Sequence, residues 1–250
     1  MKAIILAAGI GQRLGNHASK KPKCLLEFGG VSLLERHLLT LKHYRIKEII
    51  VVSGYQSEII EEEISRSAAI SITRAIKNPD YKKGSLISLL TGIKSLHTKK
   101  DFILMDADVL YEQKIIGRLI NTKINNCFLL DRNFISGDEP VKLCVQDGQL
   151  VDFRKQIDKD LLFDIQGESV GFFRFSAKMV NKLIARTRSY LAEGQEDAPY
   201  EEIIRDLLLE NPENFGYEDI TGMKWIEIDF PEDIKRAQSE IFPYIQHIDN

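Results

Sequence analysis

This sequence predicts an α/β fold built on an open, mostly parallel sheet with flanking helices. Apolar runs at residues 2–7, 48–53 and 101–105 lack polar alternation, the pattern of parallel strands buried on both faces. Segments with helical spacing follow the first two runs, so strand and helix alternate. The first run ends at a small-residue loop, Ala8-Gly9-Ile10-Gly11. Open α/β sheets bind ligands at the carboxyl ends of their strands, where this loop stands.

In chain order, the strand at 2–7 is followed by a helix at 33–41. A second strand at 48–53 (EIIVVS) leads to a helix at 57–65, with Glu61, Glu62 and Glu63 on its solvated face. Residues 70–76 form a third, weaker strand, and 85–96 a helix behind Gly84. The fourth strand, 101–105 (DFILM), runs into Asp106 and Asp108. The pattern changes after about residue 125. A strand at 126–131 precedes runs at 141–146 and 150–154, which flank Asp147-Gly148. That pair predicts a hairpin, because both turn positions take φ > 0. A strand at 170–175 and helices at 177–191 and 199–209 follow, with Asp197 and Pro199 suiting a helix start. A short strand at 225–228 and a helix at 231–239 complete the chain. No internal repeat, low-complexity tract or Pro/Gly-rich linker interrupts it. We therefore expect one domain over residues 1–250 with an added hairpin and helical part in its second half.

Composition narrows the function. Hydrophobic residues at 44% and charged residues at 28% fit a folded core rather than disorder. A net charge of −3 argues against a chain built to grip nucleic acid. No apolar run approaches the roughly 18 residues of a membrane span. The N-terminal run ends at a glycine loop rather than a cleavage site, so it reads as a buried strand and a cytoplasmic location is expected. Cys24, Cys127 and Cys144 form no CxxC pair and are expected as reduced structural thiols. His17, His37, His43, His97 and His247 show no ligand spacing and are expected at surface or capping positions.

Three constellations carry chemistry. The first is Leu6-Ala7-Ala8-Gly9-Ile10-Gly11-Gln12-Arg13-Leu14, followed by Lys21-Pro22-Lys23. Ala8, Gly9 and Gly11 let backbone N–H groups approach a phosphate or base closely, and Arg13 and Lys23 add charge suited to a polyphosphate. No GK[ST] follows, which excludes a Walker loop, and Leu14 stands where a dinucleotide fingerprint needs glycine. The second is Met105-Asp106-Ala107-Asp108, two carboxylates at a strand end. Hard Mg²⁺ prefers such oxygen ligands together with phosphates. The third is Trp225-Ile226-Glu227-Ile228-Asp229-Phe230-Pro231-Glu232-Asp233, in which a strand ends at Asp229. Glu232 and Asp233 suit the first turn of the next helix.

The glycine loop with its arginine and the Lys-Pro-Lys element resembles the signature of the sugar-phosphate nucleotidyltransferase superfamily. The later segments extend the resemblance over nearly the whole chain. It implies a Rossmann-like, nucleotide-diphospho-sugar transferase-like fold, with an NTP-binding half at about 1–125 and an acceptor-binding half at about 126–250. It also implies transfer of a nucleotidyl group from an NTP to a phosphorylated acceptor, releasing pyrophosphate. Leu6, Ala7, Ala8, Gly9 and Gly11 then hold base and phosphates, and Arg13 and Lys23 meet the polyphosphate. Asp108 and Asp229 hold Mg²⁺, with Asp106 as a supporting or acceptor-side carboxylate. Asp-Ala-Asp in place of Gly-Asp is most similar to cytidylyltransferases acting on phosphocholine and related compounds. Asn78-Pro79-Asp80-Tyr81 and Gly84-Ser85-Leu86 resemble the segment that meets the pyrimidine there, which implies CTP. Ser85 serves equally well as a helix N-cap.

On the acceptor side, Lys142 matches the position that meets the acceptor's phosphate or phosphonate. Arg154 and Lys155 follow the hairpin, and Gly167-Glu168-Ser169-Val170-Gly171 resembles the entry to the acceptor-side strand. Trp225, the single tryptophan, is expected beside the site. A choline headgroup favours an aromatic box, for which Phe172 and Phe173 are candidates. Asp106, Glu139, Glu168 and Asp197 would instead pair with a primary amine, which favours 2-aminoethylphosphonate over phosphocholine. The expected partners are CTP and a small acceptor, without nucleic acid or membrane insertion, and a homodimer is allowed. The alternatives are an enzyme making an NDP-sugar or CDP-inositol, and an inactive nucleotide-binding regulator. The intact set of Arg13, Lys23, Asp108 and Asp229 argues against the second.

Overall fold

The structure is a computed structural model that describes residues 1–17, 21–96 and 100–245. Its strands and helices, in chain order, are β1 (Lys2–Ala7), β2 (Glu27–Phe28), β3 (Val31–Ser32), α1 (Leu33–His43), β4 (Ile49–Ser53), α2 (Ser57–Arg66), β5 (Thr73–Lys77) and α3 (Ser85–Lys94). There follow β6 (Phe102–Asp106), β7 (Val109–Tyr111), α4 (Lys114–Asn121), β8 (Asn126–Asp131), β9 (Lys142–Gln146), β10 (Gln149–Arg154) and β11 (Ile165–Phe175). The chain closes with α5 (Met179–Ala192), α6 (Tyr200–Glu210), β12 (Phe215–Asp219), β13 (Trp225–Glu227) and α7 (Pro231–Arg236).

Nine strands form one sheet, in which the path β10-β9-β11-β6-β1-β4-β5 carries β8 and β12 as a branch from β11. The side holding β6, β1, β4 and β5 is parallel. The added strands are mostly antiparallel: β11 pairs that way with β6, β8 and β9. Only β12, beside β8, returns to parallel pairing.

The continuous apolar runs exist because helices cover both faces of the parallel side. Ala3 and Ile5 of β1, with Ile49 and Val51 of β4, face a core completed by α1, α2 and α4. Ile4, Ile50 and Val52 face the other way, onto α3, α5 and α6. This is the period-2 alternation of a strand, with both phases apolar. A third cluster joins Leu14, Phe28 and Leu33 to Leu110, Ile226, Ile228 and Ile241. It clamps the segment after β1 onto the end of the chain, and so brings Arg13 and Lys23 beside β13.

Some elements meet expectation and others differ. Residues 70–72 form a 3-10 turn, so the third strand begins only at Thr73. The hairpin turns at Asp147-Gly148, with φ of +50° and +78°. Pro199 is the N-cap of α6, and no side chain caps that helix. All three cysteines are free and buried. His37 is a correction to the surface expectation. It is fully buried, stacked on Tyr111, with Nδ1 3.1 Å from the Tyr111 hydroxyl. Burial depresses its pKa to about 4, which keeps the ring neutral in the core. The side chain of His17, and His97 and His247 entirely, lie outside the described residues. Among the described residues no helix is long and apolar enough to cross a membrane.

Candidate active site

The loop after β1 opens into a cleft of about 580 Å³. Leu6, Ala7, Ala8, Gly9, Gly11, Arg13, Lys23, Gly84, Ser85, Asp106, Asp108 and Asp229 all line it. Gly11 has φ of +70°, a conformation that glycine adopts without strain. A Cβ at Gly9 would meet nothing within 4 Å, so packing within the folded chain does not require a glycine there. The free space belongs to the cleft. Ser85 heads α3, but its Oγ accepts the Tyr200 backbone N–H at 3.0 Å and so ties α6 to this wall. Nearby, buried Asn78 donates through Nδ2 to Ser88 Oγ at 3.0 Å, and Ser88 and Tyr81 line the same wall.

The carboxylates converge because β13 lies antiparallel to β7, with Glu227 opposite Val109. The Ile228 N–H donates to the Asp108 carbonyl at 2.9 Å. Asp233 Oδ2 accepts the backbone N–H groups of Asp229 (3.0 Å) and Phe230 (2.8 Å), which fixes the turn carrying Asp229. Carboxylate oxygens of Asp108, Glu227 and Asp229 lie within 4.8 Å of one another. Glu227 gains a role here that its place in the Trp225–Asp233 segment does not by itself assign. Its signal was spacing, since residues two apart in extended chain share a face.

Two cations answer this cluster. Lys23 Nζ lies 2.6 Å from Asp229 Oδ1 and 3.2 Å from Asp108 Oδ2. Arg13 Nη2 lies 3.0 Å from Asp229 Oδ2, and its Nη1 lies 2.6 Å from Glu139 Oε2. Burial opposes the Lys23 charge, yet Asp108 and Asp229 outweigh it and raise the ammonium pKa. Burial, then Asp108 and Asp229, pushes Glu227 well above the usual carboxylate range. Three acids thus face two cations. An all-oxygen set of this kind fits a hard divalent cation such as Mg²⁺.

The acceptor-side predictions divide. Asp106 accepts a 2.7 Å hydrogen bond from the Tyr200 hydroxyl and faces both the cleft and a chamber of about 120 Å³. Glu139 bridges Arg13 and Lys155, and Lys155 also lines both spaces. Glu168 and Trp225 line a further cavity of about 240 Å³, together with Phe134 and Phe230, and it shares Glu227 and Asp229 with the cleft. Trp225 Nε1 donates to Asp131 Oδ2 at 2.8 Å. Phe173 lines the small chamber, whereas Phe172 packs in the core against Tyr111.

Lys142 is corrected. Its side chain is buried, and Nζ donates to the carbonyls of Gly137 and Lys155 (both 2.6 Å) and Pro140 (3.4 Å). It pins the 137–140 loop and lines none of these three spaces. Asp197 is also corrected: it is exposed, its backbone lies beside Gly84, and it lines none of them. The sequence reading assigned no role to Tyr200 or Glu201. Both line the cleft and the chamber.

Two predictions arise from this geometry. Gly171 has φ of +75°, and a Cβ there would run into Asp106 Oδ2. We expect Gly171→Ala to cost about 1–2 kcal/mol, lowering the melting temperature by several degrees. An unchanged melt would contradict this packing. Glu168 stands opposite Asp131 and Lys142 in the sheet, with Asp233 and Arg236 facing it from the α7 side. Burial first, then Asp131, pushes its carboxyl up to about 7. An acid with a raised folded pKa binds its proton more tightly in the native state. Stability therefore falls as pH rises from the ordinary carboxylate range through about 7. Glu168→Gln should raise the melting temperature at pH 8 and leave it little changed at pH 4. Equal shifts at both pH values would refute the assignment.

The chain belongs to the family of MobA-like NTP transferase domains, whose model matches residues 3–128. It is 26% identical over 254 residues to a CTP:phosphoglutamine cytidylyltransferase of Campylobacter jejuni, covering 94% of this chain and 98% of that one. Other relatives are longer, and the chain spans about half (51%) of one of them. Its fold is that of nucleotidyltransferases. It matches the CTP:phosphocholine cytidylyltransferase of Streptococcus pneumoniae with a TM-score of 0.73 at 20% identity, over 95% of this chain and 97% of that one. It matches the inositol-1-phosphate CTP transferase of T. maritima with a TM-score of 0.72 at 18% identity, over 98% of both chains.

Proposed function

We propose that this protein is a Mg²⁺-dependent cytidylyltransferase that moves CMP from CTP to a small phosphorylated or phosphonylated acceptor and releases pyrophosphate. The observation that carries this reading is the meeting of Arg13 and Lys23 with Asp108, Glu227 and Asp229 at the mouth of a glycine-lined cleft. CTP is favoured by the Campylobacter relative and the pneumococcal neighbour, both of which carry CTP in their names.

The acceptor oxygen is anionic at neutral pH, so it attacks the α-phosphorus without a side-chain nucleophile or base. The difficulty is bringing two anions together. Arg13 and Lys23 neutralise and orient the triphosphate, and Lys155, which lines both cleft and chamber, takes the acceptor's phosphate end. Asp108, Glu227 and Asp229 would hold Mg²⁺, which supplies charge neutralisation at the phosphates when bound. The deciding experiment offers ATP, CTP, GTP and UTP with phosphocholine, 2-aminoethylphosphonate, inositol 1-phosphate and glucose 1-phosphate, and measures pyrophosphate release. CTP should give the fastest release. Release without any acceptor dependence, or none with any pair, would overturn the reading.

A further inference from the structure

We propose that the chamber behind Lys155 seats the positively charged nitrogen of a short aminoalkyl acceptor, and that Glu201 is the residue that reads it. This rests on the transfer reaction above and names its substrate class. Glu201 Oε2 is buried and has no hydrogen-bond partner among the described residues, while its side chain lines both the cleft and the chamber. A buried carboxylate oxygen without a donor is costly. An ionised carboxylate only accepts hydrogen bonds, so a partner that holds Glu201 ionised must donate.

Charge decides what kind of donor. The chamber's two cations, Arg13 and Lys155, are both paired to Glu139. Glu227 belongs to the metal cluster, which leaves Asp106 and Glu201 around the same space, with one Asp106 oxygen taken by the Tyr200 hydroxyl. Burial opposes the charge on both acids, and an ammonium, unlike a neutral hydroxyl, offsets that by pairing with their ionised form. Size decides the rest. A dry cavity of about 150 Å³ admits a benzene ring, and this chamber is about 120 Å³. It accepts a chain of a few atoms but not a hydroxylated six-membered ring. Phosphate on Lys155 and nitrogen on Glu201 give the acceptor one direction through the site.

The test pairs 2-aminoethylphosphonate with propylphosphonate, its isostere with a methyl in place of the ammonium, using CTP and Mg²⁺ and reading kcat/KM. The wild type should prefer the amine by at least about 10²-fold, and Glu201→Gln should compress that ratio to within about tenfold, chiefly through KM. An unchanged ratio in the variant would overturn the assignment, as would wild-type preference for inositol 1-phosphate or glucose 1-phosphate. Should the variant fail to fold, stepwise N-methylation of the acceptor decides on the wild type alone. Efficiency falling with each methyl supports the proposal, and efficiency that holds or rises overturns it. If the wild type transfers to no acceptor, the functional reading fails separately. Calorimetry then still decides the chamber, with tighter binding of 2-aminoethylphosphonate than of propylphosphonate for it and equal binding against it.

Discussion

Asp108→Asn is expected to lower turnover by at least about 10³-fold, roughly 4 kcal/mol of transition-state stabilisation, while leaving the protein folded. The side chain keeps its shape and loses one formal charge. In the metal-free site Glu227 is held well above the usual carboxylate range, so Asp108 and Asp229 carry the charge that meets Lys23 and Arg13. The substitution leaves one charged carboxylate against two cations and removes the Asp108 partner of Lys23, so the melting temperature without metal should hold or fall slightly. The increment that Mg²⁺ adds should shrink, because a ligand that binds only the native state raises apparent stability with the logarithm of its affinity. Asp229→Asn should lose comparable activity and more stability, since Asp229 partners both Lys23 and Arg13. Melting curves with and without Mg²⁺, beside pyrophosphate release in EDTA and after Mg²⁺ is restored, separate the two effects. Full activity of Asp108→Asn, or of the wild type in EDTA, would remove this cluster from the reaction.

The parallel strands were legible because each is buried on both faces. Ile4 and Ile5 belong to different cores, and a run apolar in both phases signals a strand between two helical layers. Elements whose stability comes from distant partners were not legible. Strand β12, Phe-Gly-Tyr-Glu-Asp, has little apolar pattern and exists because β8 offers it a parallel edge. The two-residue strands β2 and β3 are too short to carry any period. The site shows the same division. Arg13, Lys23, Asp108 and Asp229 lie in compact local patterns that a linear reading can find. The roles of Lys142 and Lys155 could not be read that way. Lys142 pairs with Arg154 across the hairpin and with Glu168 on β11, and these registers turn its ammonium onto loop carbonyls. Lys155, one residue past β10, is left facing the cleft. Glu201 was hidden for a related reason: an acidic residue in a first helical turn has an ordinary explanation in the helix dipole, and only the packed chamber shows that one of its oxygens lacks a donor.

Lys23→Ala tests whether the lysine between the carboxylates serves the reaction or only the fold. Its Nζ touches Asp108 and Asp229, and the side chain is only 14% exposed. Removing it leaves the three acids with Arg13 alone, so the metal-free protein should lose about 1–3 kcal/mol of stability. Lys23 also competes with any divalent cation for those same oxygens. The variant should therefore gain a larger Mg²⁺-dependent rise in melting temperature than the wild type when no nucleotide is present. A purely structural lysine would stop there, and Mg²⁺ would restore activity together with stability. A lysine that neutralises the triphosphate behaves differently. Losing one such donor costs about 2.7–4 kcal/mol at the transition state, or roughly 10²–10³ in rate, and added Mg²⁺ should not recover it. Lys23→Arg keeps the charge but replaces a compact ammonium with a planar fork, so partial recovery is expected. Stability rescued by Mg²⁺ alongside a rate still depressed at least about 10²-fold would identify Lys23 as a group that touches the reacting phosphates. A Lys23→Ala rate within twofold of wild type would reduce it to a counter-ion for the carboxylates.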